Sequence, residues 1–207
     1  MRLDELMQDL HRQGYKKLGH GADASVWTSD GAHVIKILMP TEGKLSHAVR
    51  TFKKFYRFCQ HNSDIENLPR FYELPSGHHH EPFKHDGVHY HRIAMERLYP
   101  IRSGSTQEAI VWQLSDFARG DIKWHEALHR LRDPAEWANY DNPDIVHAIK
   151  RIKSSAWAKY HVLYVLMQLL YNTGQLNNLG WDLHTENVMR RRNGTLVIID
   201  PWFAQEM

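Results

Sequence analysis

The sequence predicts an α+β protein with two unlike halves. In the N-terminal half, short runs rich in β-branched and aromatic residues alternate with glycine-containing turns, as at residues 15–18, 24–28 and 33–38. This alternation indicates an antiparallel sheet. In the C-terminal half, apolar residues recur at spacings of three and four, most clearly over residues 157–171, which indicates helices. We therefore expect five strands and one packed helix in the first half, and mainly helices in the second.

Composition narrows the class of protein. The chain has 207 residues, of which 42% are hydrophobic and 24% charged, as in an ordinary globular protein. It has no uninterrupted apolar run long enough for a membrane helix and no signal-peptide-like run at its start, so we expect a cytoplasmic protein. Cys59 is the only cysteine, which excludes an intramolecular disulfide. A formal charge of +2 makes nucleic acid an unlikely partner.

The elements of the N-terminal half can be assigned in order. Leucines and a methionine at helical spacing over residues 3–14 predict an amphipathic helix that covers the sheet. A second apolar stripe predicts a helix over residues 44–59 that packs on the sheet. Two further strands are predicted at residues 69–74 and 88–95, around a polar loop at 75–87.

The C-terminal half begins with a helix signal. Ser105 and Glu108 form a capping box for a helix to about residue 118. Further helices are predicted at residues 121–131 and at 145–171. The second of these begins after a cap at residues 142–143 and is expected to stop at Gly174. A short buried strand is predicted at residues 196–199.

A polar constellation near the C-terminus is the candidate reactive centre. Asp182 is followed five residues later by Asn187, and Asp200 comes thirteen residues after that, at the end of the apolar run 196–199. Phosphate transfer from Mg·ATP needs one carboxylate to orient the acceptor hydroxyl, and an amide and a second carboxylate to hold metal. The spacing therefore predicts a phosphotransfer site.

A second candidate site lies near the N-terminus. Gly19 and Gly21 stand in the connection between the first two predicted strands, and closely spaced glycines let backbone N–H groups approach phosphate oxygens. Lys36 lies alone among apolar neighbours on the third strand, where its ammonium can reach the same phosphates.

Together these motifs resemble the protein-kinase-like superfamily over nearly the whole chain. Residues 18–26 resemble its nucleotide loop, 34–36 its lysine strand, 95–98 its hinge and 182–187 its catalytic loop, with Asp200 at the metal-binding position. The resemblance implies a bilobal fold with an N-lobe at 1–98 and a truncated, mainly helical C-lobe at 99–207, since only seven residues follow Asp200.

The resemblance also implies cofactors and roles. ATP would be bound by a set of N-lobe and hinge residues, and Mg²⁺ by Asn187 and Asp200, while Asp182 and Lys36 would take part in transfer. The implied nucleotide-binding set is Gly19, Gly21, Ala24, Val26, Lys36, Met95, Glu96 and Leu98.

Within the superfamily, the chain is similar to the compact early serine/threonine kinases of podovirus-type bacteriophages. This likeness implies a Ser/Thr protein kinase in the bacterial host cytoplasm, acting on host transcription or RNA-processing proteins. The pattern of Asp182, His184 and Asn187 is also shared with aminoglycoside and choline phosphotransferases, so a small-molecule phosphotransferase is one alternative. A weakly active or inactive module that binds and inhibits a partner protein is the other.

Several positions have competing interpretations. The helix at 44–59 contains no acid, which leaves Glu42 as the nearest candidate to pair with Lys36. His184 can contact substrate or orient the loop. The histidine-rich stretch 78–91 is interpreted as a solvated hairpin tip rather than a zinc site, and the three arginines at 190–192 as a solvated hairpin end.

Overall fold

The computed structural model describes residues 2–21, 24–39, 45–85, 87–120, 123–126, 129 and 154–205. The chain forms two compact units, Met1–Arg97 and Leu98–Met207. The predicted α+β class is confirmed, with a five-stranded antiparallel sheet in the first unit and helices in both. Among the described helices, none is long and apolar enough to cross a membrane.

The sheet of the first unit has the order β1-β2-β3-β5-β4 with all neighbours antiparallel. Its strands are β1 (Lys16–His20), β2 (Ala24–Thr28), β3 (His33–Leu38), β4 (His80–His85) and β5 (Val88–Glu96). The first three and the last agree with the predicted positions within one or two residues. Strand β3, which carries Lys36, lies between β2 and β5 and is hydrogen-bonded on both sides.

The predicted fourth strand is wrong. Residues 69–74 make only an isolated bridge, between Phe71 and Met95, and the stretch interpreted as a polar loop contains β4. Pro82 and the polar residues of β4 are tolerated because an edge strand has one side free of the ladder. A tight turn at Gly87, whose φ of 79° suits glycine, brings β4 back against β5.

Each face of this sheet is covered by a helix, as the apolar stripes predict. Helix α1 (Arg2–Arg12) buries Leu6 against Trp27, Ile37 and Tyr90 on one face. Helix α2 (Leu45–His61) lies on the other face. There the Phe52 ring lies 5.4 Å from that of His80 and 6.2 Å from that of His91.

The histidines are therefore not all at a solvated tip. His91 is only 3% exposed, and its Nε2 lies 3.0 Å from Nδ1 of His80. His89 and His91 lie on the same face of β5, but His89 is near the start of the strand and exposed, whereas His91 lies further along it, beside Phe52 of α2. The described residues contain no cluster of three or more His, Cys, Asp or Glu side chains that could hold a metal ion.

The second unit combines two described helices with two small sheets. Helix α3 (Thr106–Arg119) begins at the predicted cap, where Ser105 Oγ accepts from Glu108 N–H at 3.3 Å. Helix α4 (Ser154–Leu176) contributes buried side chains to the core, among them Leu163, Met167 and Leu170, but exposes Val162 and Val165. One sheet has the order β6-β8-β9 and the other pairs β10 with β7. Their strands are β6 (Tyr99–Pro100), β7 (Leu179–Trp181), β8 (Val188–Arg190), β9 (Leu196–Ile198) and β10 (Trp202–Ala204).

Gly174 does not stop α4, which continues to Leu176. The helices predicted at residues 121–131 and before Ser154 lie largely outside the described residues.

We predict that His91 makes the protein lose stability in acid. Burial, followed by the positive charge of His80 and Lys53, lowers the pKa of His91 from 6.5 to about 4, while Glu81 opposes the shift. A folded-state pKa below the unfolded value means that stability is complete above pH 6.5 and is lost as pH falls through about 4. The largest loss is about 3 kcal/mol.

The measurement is the free energy of unfolding by urea between pH 7.5 and 4. His91→Gln should flatten the pH dependence relative to wild type, because glutamine does not titrate. His89→Gln, at an exposed position of the same strand, should leave it unchanged. Equal slopes for all three proteins would contradict the prediction.

Candidate active site

The loop from Asp182 to Asn187 is held between a strand and a helical turn. It follows β7, buries Leu183 at 4% exposure, and ends in a 3₁₀ turn, Thr185–Asn187, that leads into β8. His184 precedes that turn, and its Nδ1 accepts from the backbone N–H of Glu186 at 3.3 Å. His184 therefore caps the turn.

The side chain of Asn187 closes the loop. Its Nδ2 donates to the backbone carbonyl of Asp182 at 2.7 Å and lies 3.3 Å from the Asp182 carboxylate. The same nitrogen lies 3.1 Å from His184 Nε2. Because the amide nitrogen is committed to this loop, the amide oxygen is the atom that Asn187 can offer to a cation.

Asp200 is brought to the same place by two backbone hydrogen bonds. The N–H of Ile199 donates to Asn187 O at 2.9 Å, and the N–H of Asp182 donates to Pro201 O at 2.9 Å. These bonds involve the residues on either side of Asp200 in sequence. The second unit therefore collects Asp182, Asn187 and Asp200, and two carboxylates with an amide oxygen form a donor set that suits Mg²⁺.

A tryptophan anchors the segment after Asp200, which sequence reasoning missed. Trp202 is 3% exposed, and its indole N–H donates to Leu170 O on α4 at 2.9 Å. A Cβ added at Gly174 would lie 2.7 Å from that indole nitrogen, so glycine is needed for close approach and not as a helix stop. At Gly180 an added Cβ would lie 2.1 Å from Cζ of Phe203, so this half-exposed ring would have to shift.

Ser115 is a second supporting residue that the sequence analysis missed. Its hydroxyl, on the buried side of α3, donates to Leu183 O at 3.0 Å and accepts from the Trp181 indole N–H at 3.0 Å. A serine among the buried positions of an amphipathic helix was the available signal, since a buried hydroxyl needs partners. Ser115 thus ties α3 to the loop that carries Asp182.

The first unit arranges its predicted residues on one face of the sheet. Lys36 lies directly opposite Val26 on β2 and Ile93 on β5, so these three side chains share a face. The registers of Ala24 with Leu38 and of Met95 with Val34 place Ala24 and Met95 on that face as well. It is the face on which α2 lies.

The glycine-containing connection is described at its ends. Gly19 pairs with Val26 after a register shift between Lys17 and Gly19, and Gly21 N–H donates to Ala24 O at 2.8 Å. Positions 22 and 23 lie outside the described residues, as does Glu42.

At the end of β5, Glu96 turns its side chain into the protein. Its carboxylate accepts from the N–H of Arg70 at 2.9 Å, and its own N–H donates to Arg70 O at 2.9 Å. Both the carboxylate and the N–H of Glu96 are therefore committed to Arg70. Leu98, the first residue of the second unit, is 8% exposed.

No family model and no curated protein matches the chain. Among solved structures, it is similar to a microcompartment-associated aminopropanol kinase, with 13% identity and a TM-score of 0.46 over 95% of this chain and 68% of that one. It is also similar to a spectinomycin phosphotransferase in complex with ADP and spectinomycin, with 14% identity and a TM-score of 0.41 over 97% of this chain and 70% of that one. A third similar structure is a MAP kinase from Leishmania major, with 15% identity and a TM-score of 0.36 over 96% of this chain and 50% of that one. The chain thus spans between half and seven-tenths of these proteins.

We predict that Gly174→Ala destabilises the second unit, although alanine normally favours a helix over glycine by up to about 1 kcal/mol. The added methyl would meet the buried Trp202 ring, and such overpacking costs about 1 to 3 kcal/mol. Asn172→Ala, at an exposed position of the same helix, is the control and should be neutral or stabilising.

The measurement is the free energy of unfolding by urea. A Gly174→Ala protein as stable as Asn172→Ala would show that the contact with Trp202 is unimportant.

Proposed function

We propose that the chain is an ATP- and Mg²⁺-dependent phosphotransferase that acts on Ser or Thr hydroxyls of proteins. The observation that carries this proposal is the loop closed by Asn187 onto Asp182, together with the backbone bonds that bring Asp200 beside it. The arrangement supplies a carboxylate for the acceptor and oxygen ligands for a metal within one unit. These are the groups that phosphoryl transfer requires.

Each residue of this set has a separate task in the proposal. Asp182 accepts a hydrogen bond from the attacking hydroxyl and orients it toward the γ-phosphate. Asn187, through its amide oxygen, and Asp200 would hold Mg²⁺, which neutralises charge on the phosphates. His184 would orient the loop, since its ring contacts the backbone N–H of Glu186 and the side chain of Asn187.

The nucleotide contacts are assigned mainly to the first unit. Lys36 would bind the α- and β-phosphates, with Gly19, Gly21 and Ala24 offering backbone groups to the phosphate oxygens. Val26 shares the Lys36 face and would pack on the base. Adenine would meet the backbone around Glu96, in the hinge set of Met95, Glu96 and Leu98.

A protein acceptor in a bacterial host, including a host transcription or RNA-processing protein, follows from the likeness of the sequence motifs to early phage kinases. A small-molecule acceptor is the second candidate. It is favoured by the position of His184, whose Nε2 lies 3.8 Å from the Asp182 carboxylate and can contact an alcohol there.

We expect Asp182→Asn to reduce phosphate transfer by at least about a hundredfold, because it removes the carboxylate that orients the acceptor. Lys36→Ala should cause a similar loss through the missing phosphate contact. The measurement is transfer of radiolabelled phosphate from ATP to proteins of a bacterial lysate. Asp116→Asn and Lys84→Ala, at exposed positions of the respective units, are matched controls that should keep full activity.

The acceptor is identified in the same assay. Label on Ser or Thr of a protein supports the protein kinase, whereas label found only on added aminoglycosides or small alcohols supports the second candidate. Equal labelling by wild type, Asp182→Asn and Lys36→Ala would overturn both.

We also expect Mg·ATP to stabilise the protein against unfolding. A ligand at 100 times its dissociation constant contributes about 2.7 kcal/mol, and removal of the metal with EDTA should reduce this gain. Asp200→Ala should lose the part that depends on metal, while Asp116→Asn should keep it. Differential scanning calorimetry measures the effect. Absence of any shift would favour a kinase-like module that binds a partner protein without nucleotide.

A further inference from the structure

The most basic short segment of the second unit is the hairpin formed by β8 and β9. Three consecutive arginines, Arg190 to Arg192, run from the end of β8 into its turn. The turn is closed by hydrogen bonds from Arg191 N to Thr195 O at 2.9 Å and from Gly194 N to Arg191 O at 3.0 Å. We call residues 188–198 the arginine hairpin. Its backbone is held by the ladder and by this turn.

Two of the arginine side chains are held as well. Arg192 donates from Nε to the Tyr99 hydroxyl at 2.8 Å, and its guanidinium carbon lies 5.7 Å from the centre of the Tyr99 ring. Arg190 donates from Nε to Pro100 O at 3.3 Å. Both side chains therefore bond to β6 through their inner nitrogen. The terminal nitrogens of each guanidinium group can bind a carboxylate in a bidentate manner. In Arg190 and Arg192 these nitrogens make no further hydrogen bond to described residues.

The charges of these two arginines are not balanced locally. Elsewhere, Arg12, Arg92 and Arg119 each form an ion pair with a carboxylate. Within the part of the chain that the structure describes, neither Arg190 nor Arg192 forms one. Like charges held close together on a fixed strand repel, and an arriving anion removes that repulsion without the entropy cost of ordering the side chains.

We propose that the arginine hairpin docks an acidic segment of the protein substrate, an inference that rests on the proposed kinase function. The terminal guanidinium nitrogens of Arg190 and Arg192 match a short run of Asp or Glu. A nucleic acid is less suited, because binding it requires a longer basic surface and the chain has a net formal charge of only +2.

The hairpin also sets a distance to the acceptor. Asn187 directly precedes β8 and Arg190 ends it, so at about 3.3 Å per residue the arginines begin roughly 10 Å from the metal-binding residues. An extended peptide spans that distance in about three residues, and reaches Arg192 in about five. We therefore expect acidic residues at least three to five positions from the Ser or Thr.

The first test is binding, which does not require phosphate transfer. The probe is a fluorescein-labelled twelve-residue peptide of alternating Glu and Ala, measured by fluorescence anisotropy with the full chain. The double variant Arg190→Gln with Arg192→Gln should bind it at least about tenfold more weakly than wild type. The charge-matched control Lys123→Gln with Lys159→Gln, at exposed positions of the same unit, should change binding less than twofold.

A second double variant separates recognition from folding. Arg190→Lys with Arg192→Lys keeps the charge but loses the two-pronged geometry, and should show intermediate affinity with an unchanged circular dichroism spectrum. Equal peptide affinity in the glutamine variant and the control would overturn the proposal. So would tighter binding of a twelve-nucleotide RNA that is lost in the same glutamine variant.

The second test is phosphorylation of two serine peptides, one with glutamates three to five residues from the serine and one with alanines there. Wild type should show a KM at least about tenfold lower for the acidic peptide, and the glutamine variant should lose that preference while keeping kcat. Phosphorylation of both peptides with equal KM would overturn the docking proposal alone. Phosphorylation of neither peptide, with the peptide-binding result intact, would count against the proposed kinase function instead.

Discussion

The hydrogen bond from the Asn187 side chain to the Asp182 carbonyl is the contact on which the candidate site depends. At 2.7 Å it closes a loop of six residues and leaves the amide oxygen of Asn187 as the atom that can be offered to a cation. Two backbone bonds then attach the segment around Asp200 to the same loop. Two oxygen-bearing side chains of one loop and a third from the segment after β9 are thereby brought together and held by backbone bonds, and a metal site benefits from that rigidity.

Support for this arrangement comes from large side chains packed against glycines. The Trp202 indole bonds to α4 across Gly174, and Phe203 lies over Gly180. Ser115 links the loop to α3 through Leu183. The segment after Asp200 is thus attached on both sides, to the loop and to the core helix, so that Asp200 is held in one position. In the first unit, the sheet similarly places Lys36 and its neighbours on one face, next to α2.

Much of the fold followed from periodicity, and the failures have particular causes. The helices α1, α2 and α3 and the strands β2 and β3 were predicted because burial on one side leaves a clear repeat in the sequence. The strand β4 was missed because an edge strand of polar residues carries no such repeat. His91 was assigned to solvent because composition, not register, was considered. The site residues were singled out by spacing, and their roles stay a proposal.

The sequence by itself determined which chemical groups are present and in what order: the pair of aspartates, the asparagine between them, the lysine on an apolar strand and the class of secondary structure around each. It determined them because residue type and local periodicity are properties of short segments. Only the tertiary structure decided that Gly174 permits contact with a tryptophan, that His91 is buried, and that Arg190 and Arg192 are held by β6. Those facts depend on contacts between segments distant in the chain, which no local pattern records.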